Sequence, residues 1–171
     1  MSVTKVSIGV ASQVMAGTLH RPAIAEDPAP AMLLIHGWDG SEEDLADAAE
    51  ALCHLGCLAL TFNFRGHNRK DPQFDEVSRE DGLVDVLAAY DFLIAQEGVD
   101  PARVGVVGFS YGGYLGVLLS ARRPLRWLAL RAPALYLDRD FDKPKKQLST
   151  IHDLATFRQP PLDPEDNTAL T

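Results

Sequence analysis

The stretch DPARVGVVGFSYGGYLGVLL, residues 100–119, decides how this chain is read. Asp100-Pro101 marks a turn, and Val104–Phe109 is an apolar run of strand length. From Gly112 onward, Leu115, Leu118 and Leu119 fall at helical spacing, and that helix ends near Pro124. Between them, Gly108-Phe109-Ser110-Tyr111-Gly112 fits the pattern G-x-S-x-G, placed directly between a strand and a helix, which is the context the pattern needs. A sharp strand-to-helix turn forces the serine into a strained backbone conformation, and flanking glycines are needed where side chains would meet the turned backbone. The Ser110 hydroxyl is thereby expected above the carboxyl end of the sheet, beside the unpaired N–H groups that open the next helix. Ser110 is the candidate nucleophile, and the Tyr111 N–H a candidate donor to a developing oxyanion.

A glycine-rich nucleotide loop is the alternative, and it fails on spacing. The dinucleotide fingerprint G-x-G-x-x-G needs glycine where Ser110 stands and an acid about 20 residues on, yet residues 127–134 hold none. The phosphate-loop string G-x-x-x-x-G-K-[ST] does not occur.

Working upstream, Ala31–Ile35 is a continuous apolar run, as expected for a strand buried on both faces of a parallel sheet. It ends at His36-Gly37-Trp38-Asp39-Gly40, again a carboxyl end where ligands collect in such sheets. The Trp38 backbone N–H is the second candidate oxyanion donor, with Gly37 allowing close approach. The His36 side chain reads as a loop anchor bonded to nearby backbone. Asp39 faces either substrate or solvent. Ser41 with Asp44 opens a helix carrying Leu45, Ala48, Ala49 and Leu52, which ends at Gly56. Cys57–Phe64 is the next strand, with Leu58, Leu60 and Phe62 on one face, and it stops at Arg65-Gly66-His67. Residues 68–80 read as a polar surface loop. Ser78 and Asp81 then start a helix with a stripe of Leu83, Val86, Leu87, Tyr90 and Leu93. Residues 3–20 read as an opening hairpin or edge strands, and Trp127–Leu130 as a last strand. Strands alternating with helices predict an α/β fold: a mostly parallel sheet with helices on both faces.

The whole chain has 171 residues, 46% of them apolar, and a net charge of −8 from 16 basic and 24 acidic side chains. That size suits one domain, here a core over 1–135, with 136–171 as the start of a cap segment or a tail holding four prolines. The acidic balance argues against a nucleic-acid partner, and the basic run Lys143 to Lys146 lies among acids as a solvated loop. No apolar run approaches a membrane span, and the N-terminus makes a poor signal peptide, so a cytoplasmic location is expected. Cys53 and Cys57 flank His54, but further ligands at metal spacing are missing, so both read as small buried apolar groups. No metal and no organic cofactor is expected.

Three strings in order, LLIHGWDGSEEDL (33–45), FNFRGH (62–67) and DPARVGVVGFSYGG (100–113), resemble the α/β-hydrolase fold, in its esterase, dienelactone-hydrolase-like and serine-peptidase-like branches. The resemblance covers residues 3 to about 135. It implies Ser110 as nucleophile, the backbone N–H groups of Trp38 and Tyr111 as oxyanion hole, and Arg65-Gly66-His67 as a structural turn. Two departures stand out. Relatives often continue that turn with Gly and Ser, where this chain has Asn68 and Arg69, and the dienelactone branch often uses Cys where this chain has Ser110.

In this fold the triad runs Ser, then acid, then His. His152 is the one histidine after Ser110, with Asp138, Asp140 and Asp142 between them, so the order is formally met. The family's acid and histidine each follow a further strand, however, and none is legible from Pro133 to Thr171. His152 therefore reads as a cap or surface histidine, in a short helix near Leu148–Phe157, before it reads as a base. The chain is expected to be C-terminally incomplete, with a hydrophobic sheet edge at the Trp127 strand through which it could form a homo-oligomer. Two functions follow. One is a serine hydrolase cleaving a small-molecule ester, thioester or amide through an acyl-enzyme on Ser110. The other is a truncated or non-catalytic homologue acting as a binding or scaffold protein.

Overall fold

The computed structural model describes residues 1–68, 70–136, 141–144 and 147. The expected opening hairpin is β1 (Ser2–Val10) paired antiparallel with β2 (Gln13–Arg21). β3 (Ala29–Ile35) leads into a short 3-10 turn (Glu42–Leu45) and α1 (Ala46–His54), and β4 (Leu58–Phe62) follows. Then come α2 (Arg79–Ile94), β5 (Val99–Phe109), α3 (Tyr111–Ser120) and β6 (Trp127–Arg131). The six strands form one sheet in the order β1-β2-β4-β3-β5-β6. β2 meets β4 antiparallel, and β4, β3, β5 and β6 run parallel.

Strand alternation sorts the core onto two faces. Ala31, Leu33 and Ile35 of β3, Leu58, Leu60 and Phe62 of β4, and Val104 and Val106 of β5 pack with Leu83, Val86, Tyr90 and Leu93 of α2 and with Leu115 and Leu119 of α3. On the opposite face Met32, Leu34 and Ala59 pack with Leu45, Ala49 and Cys53 of the α1 side. The reading of helices on both faces holds. Both serine starts are capping boxes, with Ser41 paired to Asp44 and Ser78 to Asp81.

Two boundaries differ from the sequence reading: β4 is Leu58–Phe62 rather than Cys57–Phe64, and the start of β5 lies earlier. β5 begins at Val99, not Val104, and carries the Asp100-Pro101 turn inside it. Pairing with β3 jumps from Ala29↔Val99 to Ala31↔Val104, so residues 100–103 bulge out of the ladder. The bulge is stitched by Arg103, whose guanidinium donates to Asp100 at 2.7 Å, Glu26 at 2.6 Å and the Pro28 carbonyl at 2.6 Å.

β6 ends the described sheet. All its residues are exposed, with Trp127 at 45%, Leu128 at 38% and Leu130 at 39%. The expected bare hydrophobic edge is present among the described residues. The short helix expected near Leu148–Phe157, and nearly all of the 136–171 segment, lie outside them. Among the described residues no helix is long and apolar enough to cross a membrane.

Candidate active site

Strand β5 runs to Phe109 and α3 starts at Tyr111, so the single residue Ser110 makes the whole strand-to-helix turn. Its backbone sits at φ 51°, ψ −112°. A β-carbon-bearing residue held there costs about 1–3 kcal/mol and persists only where its surroundings enforce it. The enforcement is visible in its hydrogen bonds. The Ser110 N–H donates to the Arg131 carbonyl at 3.0 Å, and the Ser110 carbonyl accepts the N–H of Tyr114 at 3.1 Å and of Ala134 at 2.9 Å. Ser110 itself is exposed.

Gly112 lets this turn approach the neighbouring strand. A β-carbon there would run into the carbonyl oxygens of Ile35 and His36, so only glycine lets the first turn of α3 rest on the end of β3. The loop after β3 consequently lies beside the elbow, and a β-carbon on Gly37 would stand 3.7 Å from that of Ser110. Trp38, the next residue of that loop, sets its ring edge-on against Tyr111 at 4.6 Å between centroids. The structure therefore brings Ser110, Trp38 and Tyr111 together. As the first residue of α3, Tyr111 has an N–H without an acceptor inside its helix.

His36 anchors the loop, as the sequence suggests. It is buried, with Nδ1 2.6 Å from the Gly37 carbonyl, while Nε2 accepts the Phe64 N–H at 3.4 Å. A neutral imidazole carrying its proton on Nδ1 meets both partners. Farther along the loop, the Gly40 N–H closes onto the Gly37 carbonyl at 3.2 Å. The loop's far end is fixed by Glu42, a buried carboxylate that accepts from Lys5 Nζ at 2.7 Å, Thr18 at 2.7 Å and Thr61 at 3.5 Å. Nothing in the sequence separates Glu42 from its neighbour Glu43, and its role was not legible there.

The Arg65-Gly66-His67 turn after β4 is held from α2. Arg65 donates to Asp85 through its backbone N–H at 2.9 Å and through Nε at 2.6 Å. Burial pushes the Asp85 carboxyl up to about 6, against the pull of the Arg65 guanidinium. The His67 ring closes onto the Phe64 carbonyl, with Nδ1 at 3.0 Å.

An aromatic wall stands beside the elbow. Tyr136 packs 4.9 Å from Tyr114, 6.0 Å from Tyr111 and 6.3 Å from Trp38, ring to ring. The buried Arg79 guanidinium lies 4.7 Å over the Tyr136 ring. Burial raises the Tyr111 hydroxyl well above its ordinary range, so it stays protonated. That hydroxyl lies where a β-carbon on Gly82 would be, which explains a glycine inside α2.

Asp138, Asp140 and His152 lie outside the described residues, and Asp142 is exposed. Cys53 is buried and Cys57 half-buried, and burial raises both thiols. Among the described residues no group of His, Cys, Asp and Glu could hold a metal ion.

The alpha/beta hydrolase family profile matches residues 32–169, and the chain belongs to that family. An uncharacterized protein of Mycobacterium tuberculosis (strain ATCC 25618 / H37Rv) is 35% identical over 118 residues, covering 68% of this chain and 41% of the relative. Acylamino-acid-releasing enzyme 2 of Oryza sativa subsp. japonica is 30% identical over 114 residues, covering 60% of this chain and 14% of that protein. This chain thus spans about two-fifths of the length of the mycobacterial relative. Among solved structures, a protein of Klebsiella pneumoniae subsp. pneumoniae MGH 78578, provisionally named a dienelactone hydrolase, superposes with a TM-score of 0.69 at 21% identity, over 84% of this chain and 65% of that one. The dienelactone hydrolase-like promiscuous phosphotriesterase P91 from metagenomic libraries gives 0.68 at 22% identity, over 83% and 65%. At these identities the structural likeness establishes the fold.

Proposed function

We propose that the chain carries the nucleophilic half of a serine hydrolase that cleaves an ester, thioester or amide through an acyl-enzyme on Ser110. The observation that supports this most is Ser110 itself: exposed, held at positive φ, at the head of α3 and against the Gly37 loop. In this reading the Ser110 Oγ attacks the acyl carbon, and the Trp38 and Tyr111 backbone N–H groups receive the charge that develops on the carbonyl oxygen. The leaving alcohol, thiol or amine departs with a proton, and water then releases the acid.

A serine is a weak nucleophile until a base takes its proton. His152 is the candidate by chain order, and His152→Ala tests it. A structural histidine leaves turnover unchanged, whereas a triad member costs about 10³–10⁴-fold.

The test of the whole reading is labelling with a fluorophosphonate, in which an Oγ–P bond forms, the P–F bond breaks, and fluoride and a proton leave. Labelling at Ser110 that disappears in Ser110→Ala supports the proposal. A folded chain that takes up no label defeats it for this chain and favours the binding or scaffold alternative.

A further inference from the structure

We propose that Ala132 is a positioning residue for Ser110: the left-handed turn it makes beyond β6 sets the geometry of the proposed nucleophile. The inference rests on the reading of Ser110 given above.

Among the described residues three non-glycine residues have positive φ: Ala11 in the β1–β2 hairpin turn, Ser110 at 51° and Ala132 at 45°. The last two are joined through hydrogen bonds. A regular parallel ladder would continue with the Ser110 N–H donating to Arg131 and the Ser110 carbonyl accepting from the residue two places on. The first bond is made, at 3.0 Å. The residue two places on is Pro133, which has no N–H. The donor is instead Ala134, at 2.9 Å. One extra residue must therefore be absorbed between Arg131 and Ala134. Ala132 absorbs it by turning left-handed, the conformation that a bulge usually gives to glycine.

The Ala132 side chain is exposed, so packing does not explain the residue. Its work is in the backbone. With the turn in place, the Ser110 N–H and carbonyl are both engaged by the chain beyond β6, and Tyr114 takes the carbonyl's second lone pair at 3.1 Å. Pro133 also packs on α3, where a β-carbon on Gly113 would meet it at 3.0 Å. The strained conformation of Ser110 is thus fixed from two sides: by the helix that follows it and by the turn across the sheet.

Three variants and two readouts test this. Ala132→Gly keeps the left-handed turn. Ala132→Val opposes it, because a β-branched residue is an outlier there. Ala134→Pro deletes the N–H that reaches Ser110. In fluorophosphonate kinetics, Ala132→Gly is expected to match the parent chain. The other two, confirmed as folded by circular dichroism, are expected to lower kinact about 10–10²-fold with KI unchanged, as small misplacements of a reacting atom do. Amide hydrogen exchange at Ser110 and Ala134 should be slow in the parent and in Ala132→Gly, and fast in Ala132→Val. A folded Ala132→Val labelled at the parent rate overturns the proposal. If Ala132→Val does not fold, Ala134→Pro decides in the same way. If the parent chain itself takes no label, the hydrolase reading fails separately, and hydrogen exchange alone decides: equal protection in the parent and Ala132→Val overturns the positioning role.

Discussion

β3 and β6 are parallel strands of one sheet with similarly apolar sequences and opposite surroundings. In β3, Ala31, Leu33, Leu34 and Ile35 are wholly buried, whereas every residue of β6 is exposed. β3 has β4 on one side and β5 on the other, with α2 and α3 over one face and α1 over the other. β6 has β5 as its one described neighbour and α3 against one face. Apolar composition alone therefore does not fix burial, because what lies alongside does. The candidate site straddles this contrast: the Gly37 loop leaves the well-covered strand, and the Ala132 turn leaves the bare one.

The comparison can be broken most severely in β3. Leu33→Ala removes a fully buried side chain and is expected to cost about 2–5 kcal/mol, read from urea unfolding. The well-covered half also contains a cost, at Asp85. Its carboxyl is pushed up to about 6 from an ordinary 3.8. Between those values the folded chain keeps a proton that the unfolded chain has lost, so this group's contribution to stability falls as pH rises from about 4 to about 6. The change is on the order of 3 kcal/mol. Asp85→Asn should flatten that part of the stability profile, and an unchanged slope refutes the assignment. Next comes Gly112→Ala, which forces α3 away from the end of β3. A loss of about 1–3 kcal/mol is expected together with a loss of Ser110 labelling, and a variant that labels normally would mean the two loops need not touch. The smallest effect belongs to β6. Leu130→Ala should stay within about 1 kcal/mol of the parent. A loss as large as that of Leu33→Ala would show that β6 is covered in solution and would erase the contrast.

Much of this was legible in the letters. The uninterrupted run Ala31–Ile35 marked a strand covered on both faces, and Gly108 to Gly112 placed the strand-to-helix turn to within a residue. Both serine capping boxes were readable because they are local, i to i+3 patterns. The start of β5 was misplaced, since proline normally ends a strand and the bulge that tolerates it depends on Arg103 reaching Glu26, far back in the chain. Glu42, Asp85, Arg79 and Tyr136 were missed for the same kind of reason. Their roles come from partners on other elements, and no short pattern encodes such pairings. The Ala132 turn was equally hidden, although Pro133 is its clue: a residue without an N–H, placed where the ladder needs one.

The buried carboxylate of Glu42 ties the opening hairpin to the loop beside the candidate site. Lys5 and Thr18 reach it from β1 and β2, at the sheet margin farthest from β6. Were the first 21 residues cut away, the anion would keep Thr61 but lose Thr18 and its only ammonium neighbour among these contacts. The loop bearing Trp38 would then be tethered to a foundation that no longer holds. The smallest piece able to hold the elbow and the Trp38 loop in place is therefore expected to reach back to the first strand, well before the motifs by which the family is recognised.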